Sequence, residues 1–179
     1  MRNIQLLSVL TMLVVWTTAL GNLPGRAQVA GKSGDSRAQD TVAVREFEAM
    51  MTRLDSAQQE FHNGRPAGVK ALWSHADDVA LAGGAGGPIE KGWDHVGARL
   101  NWASEHYSKA VQTNQRIMST VRGDFAYVVQ LEHIRFHVPG QAQESSRDYR
   151  VTMVLRREPN GWLIVHRQAD TQMTPQTPH

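Results

Sequence analysis

The chain has 179 residues, 19 Lys and Arg against 17 Asp and Glu, a formal net charge of +2 and no cysteine. Without thiols there is no disulfide, thiolate nucleophile or thiolate metal site. Basic residues scattered along the chain, rather than gathered in a stripe, exclude a nucleic-acid-binding face.

Met1-Arg2-Asn3 opens with positive charge, Ile4 to Leu20 is mostly apolar, and small residues follow at Ala19-Leu20-Gly21 and Gly25-Arg26-Ala27. Charge, apolar run and small-residue exit in this order predict a secretory signal peptide over residues 1–27, cut after Gly21 or Ala27. The alternative is an uncleaved anchor, since a run of about 17 residues just spans a bilayer. Either way the folded part lies outside the cytoplasm, and after cleavage no stable membrane anchoring is expected. Export without disulfides suits a bacterial periplasm, so the protein is expected to be periplasmic or secreted.

Residues 28–40 (QVAGKSGDSRAQD) hold almost nothing to bury and predict a flexible linker. Residues 171–179, with two prolines among polar residues, predict a disordered tail. One domain is left, over residues 41–170, long enough for a core of its own. In it Phe47, Met50, Met51, Leu54, Ala57 and Phe61 recur at helical spacing, with Asp40 or Thr41 as cap and Asn63-Gly64 as stop. Pro66 suits the first turn of a short second helix ending near Trp73 or Ser74. Val79 to Ala82 predicts a strand, and Gly83-Gly84-Ala85-Gly86-Gly87-Pro88 breaks regular structure as a hairpin tip or pocket lid. That glycine run lacks the Gly-Lys-Ser/Thr ending of a phosphate-binding loop. Asp94 caps a third helix with Val96, Leu100, Ala103 and Tyr107 along one side.

From Ala110 onward the period becomes alternating. Turn signals at Gly123-Asp124, at residues 139–146 and at Asn160-Gly161 separate strands over about 111–122, 125–138, 147–158 and 162–170. Short turns force neighbouring strands antiparallel. Three N-terminal helices packed in a strongly curved, mostly antiparallel sheet make an α+β, cone-shaped roll.

The run FHNGRPAGVKALWSHADDVALAGGAGGPIEKGWDHV and the ending NGWLIVHRQAD resemble SnoaL-like domains of the nuclear transport factor 2-like (ketosteroid isomerase-like) superfamily. The resemblance covers nearly all of residues 41–170, and it implies fold more than function, because relatives include isomerases, cyclases, hydrolases, dehydratases and association domains. Isomerase chemistry does not carry over. Gly83 stands where the ketosteroid isomerases place their catalytic base, Ala57 near their oxyanion-hole tyrosine and Met153 near their supporting aspartate. Without those groups there is no proton shuttle. The resemblance to SnoaL-type cyclases implies a late aspartate with a nearby histidine, and only His166 with Asp170 echoes it.

Alternation sorts the strand side chains. The resemblance turns Phe125, Tyr127, Val129, Leu131 and His133 inward, leaving Gln130, Glu132, Ile134, Phe136 and Val138 outward as a mixed surface suited to a homodimer. Tyr149, Val151, Met153 and Leu155 form the apolar set of the next strand, and Trp162, Ile164, His166, Gln168 and Asp170 share a side of the last. With Trp73, Trp93 and Trp102 on the helical side of the cone that the resemblance implies, the expected pocket residues are Trp73, Trp93, Trp102, Tyr127, His133, Tyr149, Met153, Ile164 and Gln168. Aromatics at such spacing also serve as plain core, and a buried histidine also serves as a satisfied structural group.

No metal or other cofactor is expected. His133 and His137 would lie about 13 Å apart along a strand. His62, His75, His95 and His106 show no four-residue helical pair with an acidic neighbour, and Asp77 and Asp78 face opposite ways, one of them serving as a cap or pairing with a nearby arginine. These residues predict an exported domain that binds a small, largely apolar molecule in a central pocket. Two alternatives stand beside it: a cofactor-independent isomerase, cyclase or hydrolase using His166 and Asp170 for proton transfer, and a non-catalytic dimerisation module.

Overall fold

The computed structural model describes residues 31–171 and 173, without the side chains of residues 31–38. The expected signal peptide lies outside the described residues, as does the tail apart from Thr171 and Met173. No described helix is long and apolar enough to cross a membrane.

Helix α1 (Gly31–Phe61) turns Ala43, Phe47, Met50, Met51, Leu54, Ala57 and Phe61 into the core. Each large side chain buried there stabilises the fold by about 1.5–3 kcal/mol. The helix starts ten residues before the expected Thr41, through the stretch read as a linker. Extending a formed helix is nearly free once a nucleus exists, and Gln39 to Val42 stay exposed. Its end matches the Asn63-Gly64 signal. Arg65 N–H bonds the Glu60 carbonyl and Gly64 N–H the Phe61 carbonyl, both at 3.1 Å, with Gly64 at φ 79°. This left-handed closure suits glycine.

Helix α2 (Ala67–Lys70) leads to Trp73, which bridges to Ile164. Strands β1 (Ala80–Ala82) and β2 (Ile89–Lys91) form a hairpin around the glycine run. The tip was legible in the sequence, whereas β2 is three residues with no periodicity to reveal it. Helix α3 (Trp93–Ser104) follows, then β3 (Ser108–Arg122), β4 (Phe125–His137), β5 (Glu144–Glu158) and β6 (Gly161–Asp170). The sheet order is β2-β1-β6-β5-β4-β3, parallel only between β1 and β6. The sheet is curved and unclosed, with the helices against its concave side. Trp162, 1% exposed, fixes α1 to β6: its indole meets Phe47 edge-on at 5.9 Å and its Nε1 donates to the Ala43 carbonyl at 3.1 Å.

Two expectations about sidedness are corrected. On β4 the buried residues are Ala126, Val128, Gln130, Glu132, Ile134 and Phe136. Phe125, Tyr127, Val129, Leu131 and His133 lie on the outer face. Alternation defines two faces without saying which is inner, and here the inner one carries polar groups that find partners. On β6 a bulge intervenes, because Val154 pairs with His166 and Leu155 with Ile164, leaving Val165 unopposed. One extra residue reverses every side chain after it. Trp162 and Ile164 face the helices, but beyond the bulge Arg167 takes the inner side. His166, Gln168 and Asp170 turn outward.

Candidate functional site

Between the second half of α1, α2, α3 and the inner faces of β5 and β6 lies a cavity of about 140 Å3. An apolar void of about 150 Å3 is enough to hold benzene. Leu54, Phe61, Val69, Trp73, Leu100, Met153 and Ile164 make its apolar wall. Its mouth is marked by the lining residues that reach solvent: Ala85, Trp102 (44% exposed), His106 and Arg147. The loop at Gly83-Gly84 forms one lip, and Gly84 rests so closely on the Tyr149 ring that a Cβ there would collide with it.

A polar cluster adjoins this wall. Glu132 is 0% exposed, and its carboxylate accepts from Gln58 Nε2 at 3.0 Å, Gln130 Nε2 at 2.9 Å and Arg167 Nη2 at 2.7 Å. Gln58 Oε1 in turn accepts from Gln112 Nε2 at 3.2 Å and Asn114 Nδ2 at 3.0 Å. A buried carboxylate persists only when paired and hydrogen-bonded, and these donors supply both conditions. Gln58 and Arg167 also line the cavity.

His62 lines it too, edge-on to Phe61 at 5.0 Å and to Tyr107 at 4.7 Å. Burial lowers its pKa from 6.5 to about 4, outweighing the nearby Glu132 charge, so the imidazole is neutral at pH 7. Its buried Nδ1 has no hydrogen-bond partner among the described residues. Beside it the Tyr107 and Tyr149 hydroxyls lie 3.3 Å apart, and Arg147 Nη1 donates to the Tyr149 oxygen at 3.1 Å. Burial pushes the Tyr107 phenol above its ordinary range. No three His, Asp or Glu side chains converge to hold a metal ion among the described residues.

The cavity brings together Trp73, Trp102, Tyr149, Met153 and Ile164 of the expected pocket. Trp93 lies outside it, stacked on His75 at 3.7 Å. Tyr127 is on the outer face, 38% exposed. His133, also outside, bonds Asp148 across the strands at 2.7 Å. Gln168 turns away with His166 and Asp170 after the bulge. Asp170 accepts from Arg150 Nε at 2.9 Å and Nη2 at 2.7 Å, so His166 and Asp170 form no pair over the cavity. Asp78 accepts from Arg156 Nη1 at 2.6 Å, so of the two roles expected for one of the aspartates, cap or arginine partner, Asp78 takes the second. Gly83 and Met153, where the isomerase resemblance would place base and acid, do line the cavity without a group to move a proton. Sequence reading missed His62, Arg99, Arg147, Arg167 and Glu132. Only His62 carried a signal, standing directly after the last apolar residue of the α1 stripe.

A helix-filled, open cone of mixed sheet around a central cavity is the nuclear transport factor 2-like fold. Three solved structures share it at 20% identity or below, a level that shows fold alone. One is a nuclear transport factor 2-like superfamily protein from Salmonella enterica (18% identity, 77% of this chain and 95% of that one, TM-score 0.64). Another is a ketosteroid isomerase-like protein from Erwinia carotovora atroseptica (17%, 76% and 98%, TM-score 0.56). A third is a protein with a cystatin-like fold from Novosphingobium aromaticivorans (20%, 84% and 94%, TM-score 0.54). No curated protein matches the sequence. Within this class the chain belongs to the SnoaL-like domain family, which it matches over residues 48–170.

Proposed function

We propose that this SnoaL-like domain protein binds a small, largely apolar molecule in its central cavity, and that it does so outside the cytoplasm after export. The observation that carries the reading is the cavity itself, an apolar-walled space of about 140 Å3 within the core, open to solvent beside a glycine loop. Dispersion and hydrophobic transfer favour filling such a space. Export, to a periplasmic or secreted location, rests on the charge and apolar pattern of residues 1–27.

Homodimerisation through the outer sheet face belongs to the same proposal, on different residues from those first expected. Phe125 (54% exposed), Tyr127 and Met118 put apolar surface on that face. The proton-transfer alternative loses its geometry, because His166 and Asp170 stand on the wrong side of β6.

The test is thermal melting of the protein with a panel of single-ring and short-chain apolar compounds. A ligand at about 100 times its Kd stabilises by about 2.7 kcal/mol, a clear rise in Tm. Native mass spectrometry of freshly purified protein shows whether such a molecule travels with it. A panel that leaves Tm unmoved throughout, with no bound mass, removes the binding reading and leaves association.

A further inference from the structure

Three guanidinium groups line the cavity, and their electrostatic surroundings differ. Arg167, well buried, is neutralised by Glu132 at 2.7 Å and adds no net charge to the cavity. Arg99 and Arg147 have no carboxylate partner among the described residues. Arg99 lies over the Trp102 ring at 4.2 Å and donates to the Gly86 carbonyl at 2.8 Å. Arg147 donates to the Tyr149 hydroxyl and sits 5.7 Å from the Phe136 ring. Ring faces and neutral oxygens orient a cation without cancelling its charge. By contrast Arg116, Arg150, Arg156 and Arg157 are each held by a carboxylate.

Arg147 stands at the mouth of the cavity and half-buried Arg99 beside it against the Trp102 ring, neither with a carboxylate partner among the described residues, and the Gly83-Gly84 loop lies against both sites. A Cβ on Gly83 would lie 3.5 Å from Arg99 Nη2, and Gly84 covers the Tyr149 ring whose hydroxyl Arg147 holds. An apolar chamber whose buried guanidinium is neutralised, and which carries two further guanidinium groups toward its mouth, fits a molecule with one greasy end and one anionic end. Planar guanidinium forks fit carboxylates in particular.

Resting on the binding reading above, we propose that the ligand is an amphipathic carboxylate. Its single-ring or short-chain body occupies the space between Trp73, Met153 and Ile164. Its carboxylate lies at the mouth, taken by Arg99 and Arg147. The head group exchanges the Arg99 bond to Gly86 for a charged one, coupling occupancy to the lip loop.

The test compares matched pairs of acid and amide: benzoate, phenylacetate, hydrocinnamate and hexanoate against their amides, by calorimetry at low and high salt. At least one acid is expected to bind roughly tenfold or more tightly than its amide, the scale of a charged hydrogen bond. That preference shrinks in high salt, as befits a site near solvent. It disappears in R99Q/R147Q while amide affinity holds, and R150Q, on the outer face, alters neither. The single variants R99Q and R147Q are measured as well, each expected to lose part of the preference, so a folding defect in the double variant does not blunt the result. Equal affinity for acids and amides overturns the carboxylate assignment and leaves the apolar site standing. An acid preference that survives both substitutions overturns it too. Failure of every acid and every amide to bind overturns both readings.

Discussion

At His62, burial and proton binding oppose one another. The folded protein holds this imidazole with a pKa of about 4, against 6.5 for a free side chain. Between those values the unfolded chain takes up a proton that the folded one refuses. Stability from this residue is therefore fully present above pH 6.5 and is lost as pH falls toward 4, by about 1.4 kcal/mol per pH unit and about 3 kcal/mol in all. Urea unfolding of wild type and H62F between pH 7 and pH 4 reads this directly. H62F is expected to flatten the pH dependence over that interval; equal slopes in the two proteins would contradict the burial argument. The same neutrality means that His62, though it lines the cavity, adds no charge at pH 7 to that of the arginines there.

Elements α1, β4 and β6 meet at the Glu132 carboxylate, through Gln58, Gln130 and Arg167. Removing one member of such a buried pair leaves the other uncompensated, so E132A or R167A alone is expected to cost about 3–5 kcal/mol. Replacing both by methionine restores most of that loss, since an apolar pair has no charge to desolvate. Denaturant melts of the two single variants and the double variant decide it, and single losses under about 1 kcal/mol would show the pair is not held as described. These same elements show what the sequence could and could not reveal. Helices α1 and α3 and the four long strands were legible because their apolar residues repeat at about 3.6 or 2. The inner face of β4 was not, because its outer face is the greasier one at Phe125, Tyr127, Val129 and Leu131. The bulge at Val165 was invisible too, since nothing in GWLIVHRQAD marks one residue as unpaired. That single insertion exchanged His166 and Asp170 for Arg167 at the cavity. Tyr149, Met153 and Ile164 followed from strand alternation, and Trp73 and Trp102 from the helical side of the cone that the family resemblance implies, whereas the polar set depended on register.

For the molecule as a whole, the two sides of the sheet present different surfaces. The concave side encloses the cavity, and the convex side exposes Phe125, Tyr127 and Met118. If that face joins two copies, F125D/Y127D converts a dimer to a monomer by light scattering without lowering ligand affinity, and a wild-type protein monomeric at every concentration contradicts the dimer. The ligand site itself is tested most directly by the indole N–H signals of the folded domain during titration with a compound that raises Tm. Trp73 and Trp102 line the cavity, whereas Trp93 stacks on His75 outside it and Trp162 is sealed against Phe47. The Trp73 and Trp102 resonances are expected to shift together and saturably while those of Trp93 and Trp162 stay in place. Shifts confined to Trp93, or a bound compound that moves none of the four, would contradict a ligand in the central cavity.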